Sequence, residues 1–160
     1  MKRLILIMNI LLAAVLLCSC GDRERPPSAN YLSAIEAMTQ SVRLNDTEGY
    51  LMCFTAAARD KYRASESYDK DIAAKLTFDG EKTHLLQYNV EDYHELNSDE
   101  IAKVKAQHTE AYKRRIEISK AYELDIEFTS DGKTARRKLT VINNGVGWQI
   151  CGDVIESFFG

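Results

Sequence analysis

The chain has 160 residues, 45% of them hydrophobic and 28% charged, with 21 basic against 24 acidic side chains and a net charge of −3. Such a length holds one domain with a real core and is short for two. The acidic balance argues against a nucleic-acid partner, which needs a concentrated basic face, and against adsorption to anionic lipid through charge.

The first element is an N-terminal leader. Met1-Lys2-Arg3 is a short positive start, and residues 4–17 are apolar except for Asn9. A spanning helix needs roughly 20 apolar residues, and Gly21-Asp22-Arg23-Glu24-Arg25 stops this run too soon. A charged start, an apolar stretch and a small-residue exit are the pattern of a secretory signal. Leu17-Cys18-Ser19-Cys20 resembles the lipobox of bacterial lipoproteins, with Cys18 where Ala, Ser or Thr is commoner. The resemblance implies that residues 1–19 are a signal peptide and that Cys20 carries the lipid, with palmitate among its acyl chains. It implies a diacylglycerol on the Cys20 sulfur, Cys20 being the first residue after cleavage, and an extracytoplasmic protein anchored in the cell membrane or the outer membrane of the cell envelope. Two acyl chains suffice for stable anchoring. An ordinary secretory signal with an incidental cysteine is the alternative. Residues 20–29, with Pro26 and Pro27 and no apolar period, read as a tether, and 30–160 as the domain.

Removing Lys2 and Arg3 with the leader moves the net charge from −3 to −5. With Cys20 lipidated, Cys53 and Cys151 are the remaining pair. Outside the cytoplasm such thiols often bond, and two separate buried thiols are the other reading. No Cys-x-x-Cys motif is present, so no zinc knuckle or redox motif is supported.

Tyr31, Ile35, Met38 and Val42 recur at helical spacing and predict a helix over 30–44. Asn45-Asp46 ends it and starts a short second helix over 47–54, and a third is predicted over 56–76. From 83 to 96 the period becomes two, with His84, Leu86, Tyr88, Val90, Asp92, His94 and Leu96 on one face, taken as inward. Asn97 then opens a helix to about Arg114, with Ile101, Val104, His108, Ala111 and Tyr112 along its apolar stripe. Three strands close the chain: one over 122–129, one after Asp131-Gly132 in which Ala135, Arg137, Leu139 and Val141 share a face, and one through Trp148–Cys151 after Asn143-Asn144-Gly145. Helices first and an antiparallel sheet afterwards make an α+β domain.

This order resembles the nuclear transport factor 2-like superfamily, in which helices pack on a curved antiparallel sheet to form a cone. The likeness rests on Asn45-Asp46-Thr47-Glu48-Gly49-Tyr50, on the strands paired around Asp131-Gly132, and on the closing Gly145-Val146-Gly147-Trp148-Gln149-Ile150. It is strongest to the bacterial lipoproteins of that superfamily whose domains are of unknown function. The helix over 98–114 departs from the simplest plan, and a cystatin-like helix-on-sheet arrangement is the neighbouring alternative.

Superfamily members that are enzymes hold an acid, a base or a tyrosine inside the cone. Tyr88, Asp92, His94 and Arg137 are the candidates here, with Asp92 and His94 two apart on one strand and Asp92 the expected partner of a buried Arg137. Solvated groups at strand ends are the plainer alternative. Trp148 is a pocket wall or core. His84, His94 and His108 lack metal spacing, His108 being expected at the core boundary, and no cofactor motif occurs. Lys103, Lys105, Lys113, Arg114 and Arg115 read as a solvated helix face.

The sequence therefore favours a lipid-tethered binding or interaction domain. Its partners are the membrane through the anchor, and a small ligand or an envelope protein. A small acid–base enzyme is one alternative. A protein-binding inhibitor or immunity-type module, using the acidic sheet positions Glu91, Glu123, Asp125 and Glu127 beside Gln87, is another.

Overall fold

The computed structural model describes residues 30–65, 68, 85–156, 158 and 159. Helices α1 (Ser33–Leu44), α2 (Thr47–Met52) and α3 (Ala56–Arg63) come first. They are followed by β1 (Gln87–Glu95), α4 (Ser98–Tyr112), β2 (Lys120–Ser130), β3 (Lys133–Asn143) and β4 (Trp148–Cys151). The strands form one antiparallel sheet in the order β1-β2-β3-β4, so the domain is α+β. The expected leader and tether with Cys20, as well as His84 and most of the predicted third helix beyond Ser65, lie outside the described residues.

Local chemistry accounts for the helix ends. Ile35, Met38 and Val42 are fully buried along one side of α1, and Asn45 stops the helix in the left-handed region at φ 54°. Asp46 then caps α2, its Oδ1 accepting from Gly49 N at 2.9 Å. A β-carbon on Gly49 would collide with that carboxylate and would stand 2.8 Å from Ser41 Oγ. At α4 a reciprocal cap forms: Asn97 Oδ1 accepts from Glu100 N at 3.1 Å, and Glu100 Oε2 accepts from Asn97 N at 2.8 Å.

The main core lies between α1–α3 and one face of the sheet, where Leu124, Ile126, Phe128, Val141 and Ile150 meet Ile35, Met38, Tyr50 and Phe54. On the other face Ala121 and Ile142 are covered by Ile101 and Val104 of α4 with Leu96, Ile116 and Ile118. The Asp131-Gly132 turn has both residues at positive φ, 48° and 78°, the backbone twist a two-residue hairpin prefers. Beyond β4 the segment Cys53–Thr55 lies alongside: Ile150 N donates to Cys53 O at 2.7 Å and Thr55 N to Ile150 O at 3.1 Å. That covers one edge of the sheet and leaves β1 as the other.

In β1 the strict alternation expected over 83–96 breaks. Val90 pairs with Ile126, but Asp92 pairs with Asp125, so Glu91 is an extra residue in a β-bulge. A one-residue insertion reverses every later side chain. Beyond it, Tyr93 and Glu95 join the face covered by α1–α3, opposite Leu124 and Tyr122, whereas Asp92 and His94 turn to the opposite face, part of which α4 covers. The inward placement of Asp92 and His94 is thereby corrected.

Candidate binding cleft

Among the residues expected to form a pocket, the structure separates more than it gathers. Arg137 stands opposite Ile126 on the face covered by α1–α3 and is half-buried; Asp92 is exposed on the reverse face, so the two cannot pair. His94 Nε2 lies 3.1 Å from Glu100 Oε2, and this contact helps hold the Glu100 carboxyl below its usual range, after the larger effect of the Asn97 backbone N–H. On that face Asp92, His94, Glu123, Asp125 and Lys138 border a hollow of only about 60 Å³. Lys138 Nζ sits 3.0 Å from Glu123 and 3.8 Å from Asp125, which offsets their mutual repulsion. No metal-holding group of histidine, cysteine and acid side chains occurs among the described residues.

Trp148 reaches an aromatic cluster instead. Its ring centroid is 5.7 Å from that of Tyr122, and Tyr31 stacks on Tyr122 at 4.3 Å and on Tyr93 at 5.5 Å. Tyr122 Oη donates to Glu95 Oε2 at 2.7 Å, the main reason the Glu95 carboxyl titrates low. Bringing Tyr93 into this cluster is a consequence of the bulge.

His108 is a core residue and not a boundary one, only 4% exposed. Its Nδ1 lies 3.0 Å from Arg114 O and so carries the proton; its Nε2 then accepts from Thr55 Oγ1 at 3.4 Å. The ring ties α4 to the start of α3. Cys53 and Cys151 are free thiols. Cys53 Sγ donates to Gly49 O at 3.3 Å, and burial pushes its pKa up to about 12, with Asp46 adding to the effect. Burial pushes Cys151 up to about 11.

Among the described residues, Tyr88 is the expected pocket residue that lines a sizeable cleft. The space, about 550 Å³, runs along α1 and is bordered by Glu36, Thr39, Gln40, Arg43, Asp46 and Tyr88, among others. Arg43 Nε donates to Leu86 O at 2.6 Å, which fixes the side chain and leaves its terminal nitrogens without a partner among the described residues. The Glu36 carboxylate and the Tyr88 hydroxyl have no hydrogen-bond or ion-pair partner among the described residues, and Thr39 Oγ1 is buried without one. Burial raises the Tyr88 pKa first, and Glu36 raises it further while Arg43 opposes. In the sequence Glu36, Gln40 and Arg43 read only as the solvent side of a helix. Comparison with protein-family models, with curated proteins and with solved structures finds no match to this chain.

Proposed function

We propose that this chain is a lipoprotein of the cell envelope, tethered through Cys20 outside the cytoplasm, whose domain binds a small polar ligand and does no chemistry on it. The cleft beside α1 carries the reading. It holds an acid, a guanidinium and a phenol with bonding capacity to spare, and neither a histidine nor a cysteine borders it among the described residues. A volume near 550 Å³ lies in the range of small-molecule sites. The nuclear transport factor 2-like cone is part of the same proposal, supported by three helices covering one face of an antiparallel sheet. The acid–base enzyme alternative loses its main support, because Asp92 and His94 face away from both Arg137 and Tyr88. No helix among the described residues is long and apolar enough to cross a membrane.

Two measurements test this. Cys20→Ala should abolish fatty-acid labelling and either release the protein or leave the leader uncleaved; a variant that stays membrane-bound and is processed normally overturns the anchor. Native mass spectrometry of the detergent-released protein should find a retained small molecule that Glu36→Gln and Tyr88→Phe weaken. A retained molecule indifferent to both variants overturns the cleft as its site.

A further inference from the structure

The charges of the cleft narrow its ligand. Glu36 and Arg43 are seven residues apart on α1, a rise of about 10 Å along the axis. Side chains pair along a helix at three or four residues, so Glu36 and Arg43 are not spaced to pair; Asp46, a second acid on the lining, accepts from Gly49 N at 2.9 Å. Between Glu36 and Arg43 lie the neutral polar groups of Gln40, Thr39 and Tyr88. A simple anion would suit Arg43 but would face Glu36 and Asp46 as well. A simple cation would meet the reverse conflict.

We propose that the cleft takes a short zwitterionic peptide, with its terminal ammonium on Glu36 and its terminal carboxylate on the open nitrogens of Arg43. The assignment rests on the binding reading above. Three extended residues span about 10 Å, comparable with the rise of about 10 Å between Glu36 and Arg43 along the α1 backbone. The Leu86 carbonyl holds Arg43 Nε at 2.6 Å, so the guanidinium is positioned in advance and loses little freedom when a carboxylate arrives. Peptide amides need both donors and acceptors along the middle of the site, and the amide of Gln40 and the hydroxyl of Tyr88 offer both.

The test is calorimetric titration of the full-length, detergent-solubilised lipoprotein at pH 7 with Ala-Ala-Ala, with its N-acetylated form and with its C-terminal amide. The free tripeptide should bind. Blocking either end should weaken it by roughly tenfold or more, as expected for loss of a charge-assisted hydrogen bond. Glu36→Gln should weaken the free peptide by a similar factor and leave the acetylated one unchanged. Arg43→Gln should do the same for the amide, with thermal melts checking that it folds; Glu36, exposed and unpaired, keeps the test sound if it does not. Failure of Ala-Ala-Ala to bind, equal binding of the blocked peptides, or tighter binding of free alanine overturns the proposal. If native mass spectrometry shows a different occupant while the tripeptide fails, the peptide assignment falls and the binding reading stands. If neither molecule is found in the cleft, both fall.

Discussion

Asp92 and Arg137 lie on opposite faces of the sheet, although each sits on a strand whose alternation points the same way when read alone. Asp92 is paired with Asp125, and Arg137 with Ile126. Replacing Asp92 therefore removes no ion pair. Asp92→Asn should leave stability within about 0.5 kcal/mol or raise it slightly, since like charges directly opposite are unfavourable. Arg137→Met and Asp92→Asn should add without coupling to within about 0.5 kcal/mol. Urea denaturation of the two single variants and the double variant measures this. A coupling near 2 kcal/mol would mean that the bulge at Glu91 is not there.

Gly49 gives a prediction against the usual trend. Alanine in place of an interior helical glycine normally stabilises by about 1 kcal/mol. Here the new methyl would press on the Asp46 carboxylate and on Ser41 Oγ, 2.8 Å away. Gly49→Ala should instead destabilise by about 1–2 kcal/mol, the size of a lost N-cap. Asp46→Ala combined with Gly49→Ala should recover part of that loss, because the first change removes the obstruction. Thermal melts read the sign directly.

Tyr50 is 1% exposed, and its hydroxyl donates to Ile155 O at 2.6 Å. Tyr50→Phe keeps the packing against Phe54 and leaves that carbonyl without the phenol. A loss of about 1–3 kcal/mol is expected in urea denaturation. No measurable change would mean that water already satisfies Ile155.

The thiols make stability fall in alkali. Cys53 and Cys151 are raised from 9.0 to about 12 and about 11, so the folded state holds their protons more tightly than the unfolded chain does. Their contribution is fully present below pH 9 and declines above it. The slope of the pair reaches about 2.7 kcal/mol per pH unit, until Cys151 and then Cys53 ionise in the folded state. Tyrosine side chains of an unfolded chain ionise near pH 10, so the informative quantity is a difference. The unfolding free energy of wild type should fall more steeply between pH 9 and 11 than that of the Cys53→Ala/Cys151→Ala double variant. Parallel curves would place both thiols in water.

Iodoacetamide supplies an independent check on the same thiols. The thiolate is the reactive form, and at pH 8 neither Cys53 nor Cys151 holds much of it. Relative to the protein in urea, native Cys151 should alkylate about a hundredfold more slowly and native Cys53 about a thousandfold more slowly, following their raised pKa values. Native reactivity equal to the unfolded rate at either cysteine would contradict its burial.

Much of the architecture was legible because its causes are local. Ile35, Met38 and Val42 announce the buried side of α1 by spacing alone, and Asp131-Gly132 and Asn97 with Glu100 mark a hairpin and a helix start by side-chain chemistry within a few residues. The bulge left a fainter trace: Tyr93 continues the apolar face of Tyr88 and Val90 only if one residue is skipped, and the charged pair Glu91-Asp92 marks where. Strict alternation overlooks that change of phase. The cleft left no trace at all, since Glu36, Gln40 and Arg43 have the spacing of any solvent-facing helix side.

The sequence by itself determined the order of helices and strands, the turns between them and the acidic character of the chain, because periodicity, caps and charge are properties of neighbouring residues. Tertiary structure alone decided which groups share a space. A single inserted residue at Glu91 sends Asp92 and His94 through the sheet to its opposite face and brings Tyr93 against Tyr31. The packing of α1 beside β1 sets Glu36 and Arg43 around Tyr88, 45 residues beyond Arg43 in the chain. Pairing register and helix docking act between segments distant in sequence, and no local pattern encodes where they meet.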